Sequence, residues 1–148
     1  SLGVMLAGLI LGPKRGALAP VVVIALVALG LPVLSGGRGG VGVFSGPTAG
    51  FLFGWIAAAF AAGFLAQVLE QRADGFAKRT AMLTIAAIAG GIVLLYIPGI
   101  LWLGLSTKLG LAKAFMVSLP FIPGDIAKAV VAALVTVKVR DALAIERK

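Results

Sequence analysis

The sequence predicts an all-α fold, a polytopic membrane bundle with five apolar segments. Three observations carry that prediction. First, 61% of the 148 residues are apolar and 12% are charged, whereas an average soluble domain is about 25% charged. Second, no charge interrupts residues 39–69 or residues 81–103, and either stretch can cross a ~30 Å hydrocarbon core at ~1.5 Å per residue. Third, the apolar stretches are divided by turns rich in Gly, Pro and charge. Such hydrophobicity excludes a disordered chain, and so few charges cannot clothe a water-soluble globule. The chain reads as one transmembrane domain, residues 1–148. It has no Cys and no His, which excludes disulfides, thiolate chemistry and the commonest general base and metal ligand.

The segments follow in order. Residues 2–12 are apolar but reach only about half of a ~30 Å core, so they form either the end of a truncated span or a short half-buried helix. The first residue is Ser, at the edge of this apolar stretch, which suggests a fragment or processed chain lacking N-terminal sequence. Pro13-Lys14-Arg15-Gly16 breaks the segment. Residues 17–34 are long enough to span; Pro20 falls in the first turn, where its missing N–H costs little, and Gly30 and Pro32 mark the end. Ser35-Gly36-Gly37-Arg38-Gly39-Gly40 is a loop by its glycine content. Gly46-Pro47-Thr48 is the natural start of a helix reaching about Leu69. Residues 71–79 form a polar connection, and residues 81–103 are the cleanest span. Residues 104–113 form a second polar connection. The last span, residues 115–137, is interrupted at residues 120–125, and residues 138–148 read as a helix leaving the membrane.

Sidedness follows from Lys and Arg. If the Lys14-Arg15 turn is cytoplasmic, the same side holds Lys14, Arg15, Arg72, Lys78, Arg79, Lys138, Arg140, Arg147 and Lys148, and the other holds Arg38, Lys108 and Lys113. The bias explains the net charge of +8 as topology and removes the case for nucleic acid. The C-terminus is expected in the cytoplasm, and the chain in the plasma membrane of a prokaryote.

Asp125 lies inside the last apolar block, and Lys128 follows three residues later. A charge at membrane depth costs at least ~2.5–3.5 kcal/mol, and a pair at i, i+3 on one helix face can neutralise itself. Phe121-Ile122-Pro123-Gly124 breaks the helix, so Asp125 is expected as the N-cap of a new segment. A broken helix at this depth is tolerated where it lines a cavity, and its start presents free N–H groups and a positive dipole end. Two readings stay open: a salt bridge that caps a kink, or a polar ligand site. The combination of Pro, Gly, carboxylate and ammonium exceeds what a kink requires. The glycine loop fits a cavity rim; Arg38 is either a solvated charge or an attractor for an anion at the mouth. The loop lacks the Lys with neighbouring Ser or Thr that a phosphate cradle uses. Tyr96 and Trp102 are either interfacial anchors or the wall of a cavity for an apolar ring. Trp55 and its neighbouring phenylalanines are expected to face lipid or another helix. Gly50-xxx-Gly54 and Ala59-xxx-Gly63 give one helix a small-residue stripe for close packing. No pairing of nucleophile with base is present, so the chain is not read as an enzyme.

Four segments together resemble one family: residues 31–51, with Gly36-Gly37-Arg38-Gly39-Gly40 and Gly46-Pro47-Thr48-Ala49-Gly50-Phe51, then residues 2–16, residues 96–105, and Leu119-Pro120-Phe121-Ile122-Pro123-Gly124-Asp125 through Lys128. The chain is identified by these as similar to the BioY family, the biotin-binding substrate components of energy-coupling-factor transporters. The resemblance implies a six-helix membrane protein whose first helix, used in docking, is absent here. It implies biotin as ligand in a pocket open to the outside, no cofactor, and as partners a transmembrane coupling protein and two cytoplasmic ATPase subunits. Asp125 and Lys128 match the family motif. Asp125 would accept from a ureido N–H, and Lys128 would donate to the ureido carbonyl or the carboxylate. Tyr96, Trp102 and Phe121 would cover the apolar ring, with Arg38 at the mouth. The competing readings are a proton-coupled carrier or channel subunit using Asp125 as a relay, and a structural subunit that binds nothing small. The charge bias makes a topological prediction. A membrane-impermeant thiol reagent should label Gly37→Cys from outside intact cells and should not label Ala77→Cys; the reverse pattern would invert the orientation.

Overall fold

The computed structural model describes residues 1–146, and the described residues are all helix and turn apart from an isolated bridge between Leu34 and Arg38. The expected cytoplasmic charges Arg147 and Lys148 lie outside the described residues. Helix α1 is Leu2–Ala28, α2 Ala49–Glu70, α3 Phe76–Ile88, α4 Leu94–Ser106, α5 Leu111–Ser118 and α6 Ile122–Glu146. A π turn, Ala89–Val93, joins α3 to α4, and a 3-10 turn, Leu119–Phe121, joins α5 to α6. Four helical stretches are long and apolar enough to cross a membrane: Leu2–Ala28, Ala49–Glu70, Phe76–Ser106 and Leu111–Ala144.

Several boundaries differ from expectation. The Pro13-to-Gly16 turn is helical, and the break falls one residue earlier, at Gly12 (φ 84°, ψ 179°). Proline suits the first turn of a helix, whereas that positive φ favours glycine. The two arms of α1 meet closely there: a Cβ on Gly16 would stand 2.7 Å from the Ala7 carbonyl oxygen and from the Gly8 Cα. The helix also ends at Ala28, not near Leu34. The polar connections are shorter than their composition implies, because Lys78 and Arg79 fall in the first turn of α3 and Lys113 in α5. The interruption expected over residues 120–125 is a single 3-10 turn, and α6 starts at Ile122. Asp125 is therefore in the first turn of α6, not its N-cap; Pro123 needs no N–H partner so early in a helix.

The packing is inside-out relative to a water-soluble protein. Ala58, Ala59, Ala62, Ala66, Ala86, Ala87, Ala129, Ala132 and Ala133 are completely buried, while Phe53, Phe60 and Phe64 are about half exposed. Small residues inside let helix backbones approach where lipid, not water, surrounds the bundle. Helix α2 is the hub. Its Gly63 lies against the backbone of Gly12 and Pro13, and Gly8 of α1 lies against the Ala59 carbonyl. Its Gly54 receives Leu95 and Pro98 of α4, and its Ala62 lies against Gly90 of the π turn. The buried hydroxyls of Ser118 and Thr136 bond back to the Ala114 and Ala132 carbonyls at 2.8 and 2.7 Å, which satisfies them without a partner helix.

One end of the bundle is clamped by charge. Arg79 bonds Glu70 at 3.1 Å and Asp141 at 2.8 Å, and Arg140 pairs with the other Glu70 oxygen. Arg140 also donates to the Leu9 carbonyl. In an α-helix that carbonyl would accept from residue 13, which is Pro and has no N–H; the guanidinium supplies the missing donor. The clamp ties α1, α2, α3 and α6 together. The glycine contacts make the first structural prediction. In Gly63→Ala the new Cβ would stand 2.6 Å from Gly12 and Pro13 backbone atoms, and overpacking of this kind costs ~1–3 kcal/mol. The unfolding midpoint in detergent should fall clearly for Gly63→Ala and stay unchanged for Gly42→Ala, where the space is open.

Candidate functional site

The turn between α5 and α6 brings the polar residues of the last span to one place. Asp125 is only 6% exposed and is held by three donors. The Tyr96 hydroxyl donates to Oδ2, the Ser1 hydroxyl to Oδ1 at 2.7 Å, and the Lys128 ammonium to Oδ1 at 3.2 Å. Burial of an isolated carboxylate is prohibitive, but an ionised one with charge-assisted donors is tolerated. The Lys128 side chain is 48% exposed, so its head is partly free while it neutralises Asp125.

Tyr96 comes from α4, and the π turn before it sets its placement. Gly90 and Gly91 in that turn take Ala62 and the Met5 side chain into the space of their missing Cβ atoms. An extra residue in the turn rotates everything after it relative to a regular helix, a device common near functional sites. The Tyr96 ring then stands edge-on to Phe51 of α2, with centroids 5.8 Å apart and planes at 89°, a favoured aromatic geometry.

These groups line a cavity of about 510 Å³, within the usual range for small-molecule sites. Thr48, at the N-cap of α2, and Phe51 and Trp55 within it form one wall, and α4 contributes Leu95, Tyr96 and Leu103. Val117, Ser118, Pro120 and Phe121 form the wall from α5 and its turn, and Gly124, Asp125 and Lys128 the wall from α6. Acceptor and donor groups gather around Asp125, and the α2 and α4 walls are largely apolar and aromatic. This arrangement suits a small ligand with an apolar ring and a hydrogen-bonding edge. No cluster of His, Cys, Asp and Glu suited to a metal occurs among the described residues.

Of the residues singled out from sequence, Asp125, Lys128, Tyr96 and Phe121 come together in this cavity. Arg38 and Trp102 are not among its lining residues. The Arg38 Nε–H donates to the Ser35 carbonyl at 3.2 Å, closing its own exposed turn. The Trp102 Nε1–H donates to the Gly46 carbonyl at 2.8 Å. Trp55 and Phe51, expected against lipid or another helix, line the cavity instead, while Phe53, Phe60 and Phe64 are the exposed rings of that helix. The signal was available: Thr48, Phe51 and Trp55 stand at i, i+3 and i+7, on one helical face.

The model of the BioY family matches residues 1–145. The chain is 54% identical over 134 residues to a protein of Rhizobium etli named biotin transporter BioY, covering 90% of this chain and 72% of that one. It is 51% identical over 144 residues to a Rhodobacter capsulatus protein of the same name, covering 91% of this chain and 73% of the relative. Among solved structures, it is similar to the S-component for biotin from an ECF-type ABC transporter. The TM-score is 0.83 at 30% identity, covering 95% of this chain and 72% of the other.

Proposed function

As the chain belongs to the BioY family, we propose that it is the biotin-binding membrane subunit that serves biotin uptake as the substrate-specific component of an energy-coupling-factor transporter. The observation that carries this is the cavity in which Asp125, Lys128 and Tyr96 meet beneath aromatic walls. Biotin carries a ureido ring with two N–H donors and one carbonyl, an apolar thioether ring and a carboxylate tail. An ionised carboxylate can accept about four hydrogen bonds, and Asp125 takes three from the protein, leaving capacity for a ureido N–H. The Tyr96 hydroxyl donates its proton to Asp125, and its oxygen keeps lone pairs to accept from a ligand. Lys128 has further N–H groups for the ureido carbonyl or the carboxylate. Phe51, Trp55, Leu95 and Phe121 suit the thioether ring.

The biotin transporters among the relatives favour this reading over a proton-coupled carrier. A proton path also wants titratable groups along its length, and α6 has none from residue 129 to residue 137. Energy would come from partners, a transmembrane coupling protein and two cytoplasmic ATPase subunits. The Gly12 break supports counting the arms of α1 separately, giving five segments. The bias of Lys and Arg supports the Lys14-Arg15 turn and the C-terminus on the cytoplasmic side of the plasma membrane.

Calorimetry of detergent-solubilised protein tests the assignment. The native chain should bind biotin. Asp125→Asn keeps shape but loses charge-assisted bonding, which is roughly twice as strong as neutral; affinity should fall at least ~10-fold, or ~1.4 kcal/mol. Lys128→Met should weaken binding too, and Arg38→Ala should change it little, since an exposed loop charge is screened. Unchanged affinity in both Asp125→Asn and Lys128→Met would make the pair a structural cap.

A further inference from the structure

We propose that Trp102 is a positioning residue for the cavity: it does not meet the ligand, but fixes the turn that carries Thr48 and the start of α2 to the cavity wall. The identity of the ligand rests on the biotin reading above; the rest stands on geometry. The Gly46 carbonyl accepts from the Trp102 indole N–H at 2.8 Å and from the Ala49 N–H at 3.3 Å. It is the joint at which the 3-10 turn Val41–Ser45 passes into α2. One turn further on, a Cβ on Gly50 would clash with the Trp102 Cβ and stand 2.5 Å from the Pro98 carbonyl oxygen and 3.1 Å from the indole Cγ, so Trp102 and the α4 backbone together fill that space. Trp102 therefore touches the chain on both sides of Thr48, through its N–H before α2 and through its Cβ and ring base in the first turn of α2.

The Thr48 carbonyl accepts from the Phe51 and Leu52 N–H groups at 3.1 and 3.4 Å, but local structure does not engage the side chain. Thr48 occupies the N-cap position, yet its side chain makes no cap hydrogen bond, and Pro47 has no N–H to give. The hydroxyl that a helix start normally consumes is left on the cavity wall. Phe51, one turn along α2, and Leu103, next to Trp102 on α4, line the same cavity. Trp102 thus joins the Gly54 crossing in holding α2 against α4 where both line the cavity. An interfacial anchor would spend its N–H on water or headgroups; this one spends it on the backbone of the turn.

The chain has no Cys, so Thr48→Cys provides a unique thiol in the wall. In detergent without ligand, adding Trp102→Phe to that variant should speed its alkylation by a water-soluble maleimide several-fold, while Ala77→Cys, at the far end, should react at an unchanged rate. In the otherwise native chain, Trp102→Phe should speed biotin dissociation roughly two- to tenfold, the range of one hydrogen bond, with the ligand-free unfolding midpoint near that of the native chain. Trp102→Leu keeps the Cβ and Cγ that face Gly50 but lacks the indole N–H, and should reproduce both effects if Trp102→Phe does not fold. Unchanged alkylation would overturn the proposal, because the turn would be held by something else. Faster alkylation with unchanged biotin dissociation would also overturn it, because the turn would not bear on the site. If the native chain binds no biotin, it is the biotin reading that fails, and the alkylation rates still decide whether Trp102 holds the turn.

Discussion

Helix α2 can stand at the centre of this bundle only because side chains are missing where its neighbours cross it. Gly63 admits the Gly12–Pro13 backbone, Gly54 admits Leu95 and Pro98, and Gly50 admits Trp102. Water gives no drive to helix association inside a bilayer; close backbone approach and dispersion must supply it. Each of these contacts also decides a direction. The Gly63 crossing sets how α1 lies on α2, and the Gly50 and Gly54 crossing turns Tyr96 toward Phe51. The cavity is what remains between α2, α4, α5 and α6 once these approaches are made.

Into that apolar frame the chain places one buried carboxylate. Asp125 is supplied by donors from its own helix, from α4 and from Ser1, and Lys128 balances its charge. Removing one partner of a buried pair costs ~3–5 kcal/mol because it strands the other, which makes the cluster expensive to alter piecemeal. The geometry also separates roles. Asp125 is nearly closed off, while Lys128 keeps almost half its side chain in the open. The acceptor is held still, and the donor beside it has room to move.

Much of this was legible in the residues, and the illegible part has a physical cause. The Asp125–Lys128 pair stood out because charge at membrane depth is costly, and Gly46-Pro47-Thr48 stood out as a helix start. The Gly50 and Ala59 stripes announced close packing without naming the partners, since a partner on another helix leaves no trace in local spacing. Trp55 and Phe51 were hidden among rings on a helix apolar on every side, where amphipathic periodicity is lost. The sequence leaves Trp102 open between an interfacial anchor and a cavity wall, because its hydrogen bond runs to residue 46, a contact that only the fold creates. In the sequence the break falls on Pro13-Lys14-Arg15-Gly16 because proline is the louder signal; a proline at a helix start is compatible with the helix, and Gly12 before it does the turning.

Helix α6 carries Asp125 and Lys128 near one end and Arg140 near the other, with neither Gly nor Pro between them. The rise from Asp125 to Arg140 is about 22 Å at ~1.5 Å per residue. Sharp bends in helices need Pro, Gly or an inserted group, so this stretch is a stiff rod. A tilt that a guest imposes at the Asp125 end cannot be absorbed along the way. It arrives at the far face as leverage on the Leu9 carbonyl and Glu70, the points where Arg140 pins the rod to the rest of the bundle.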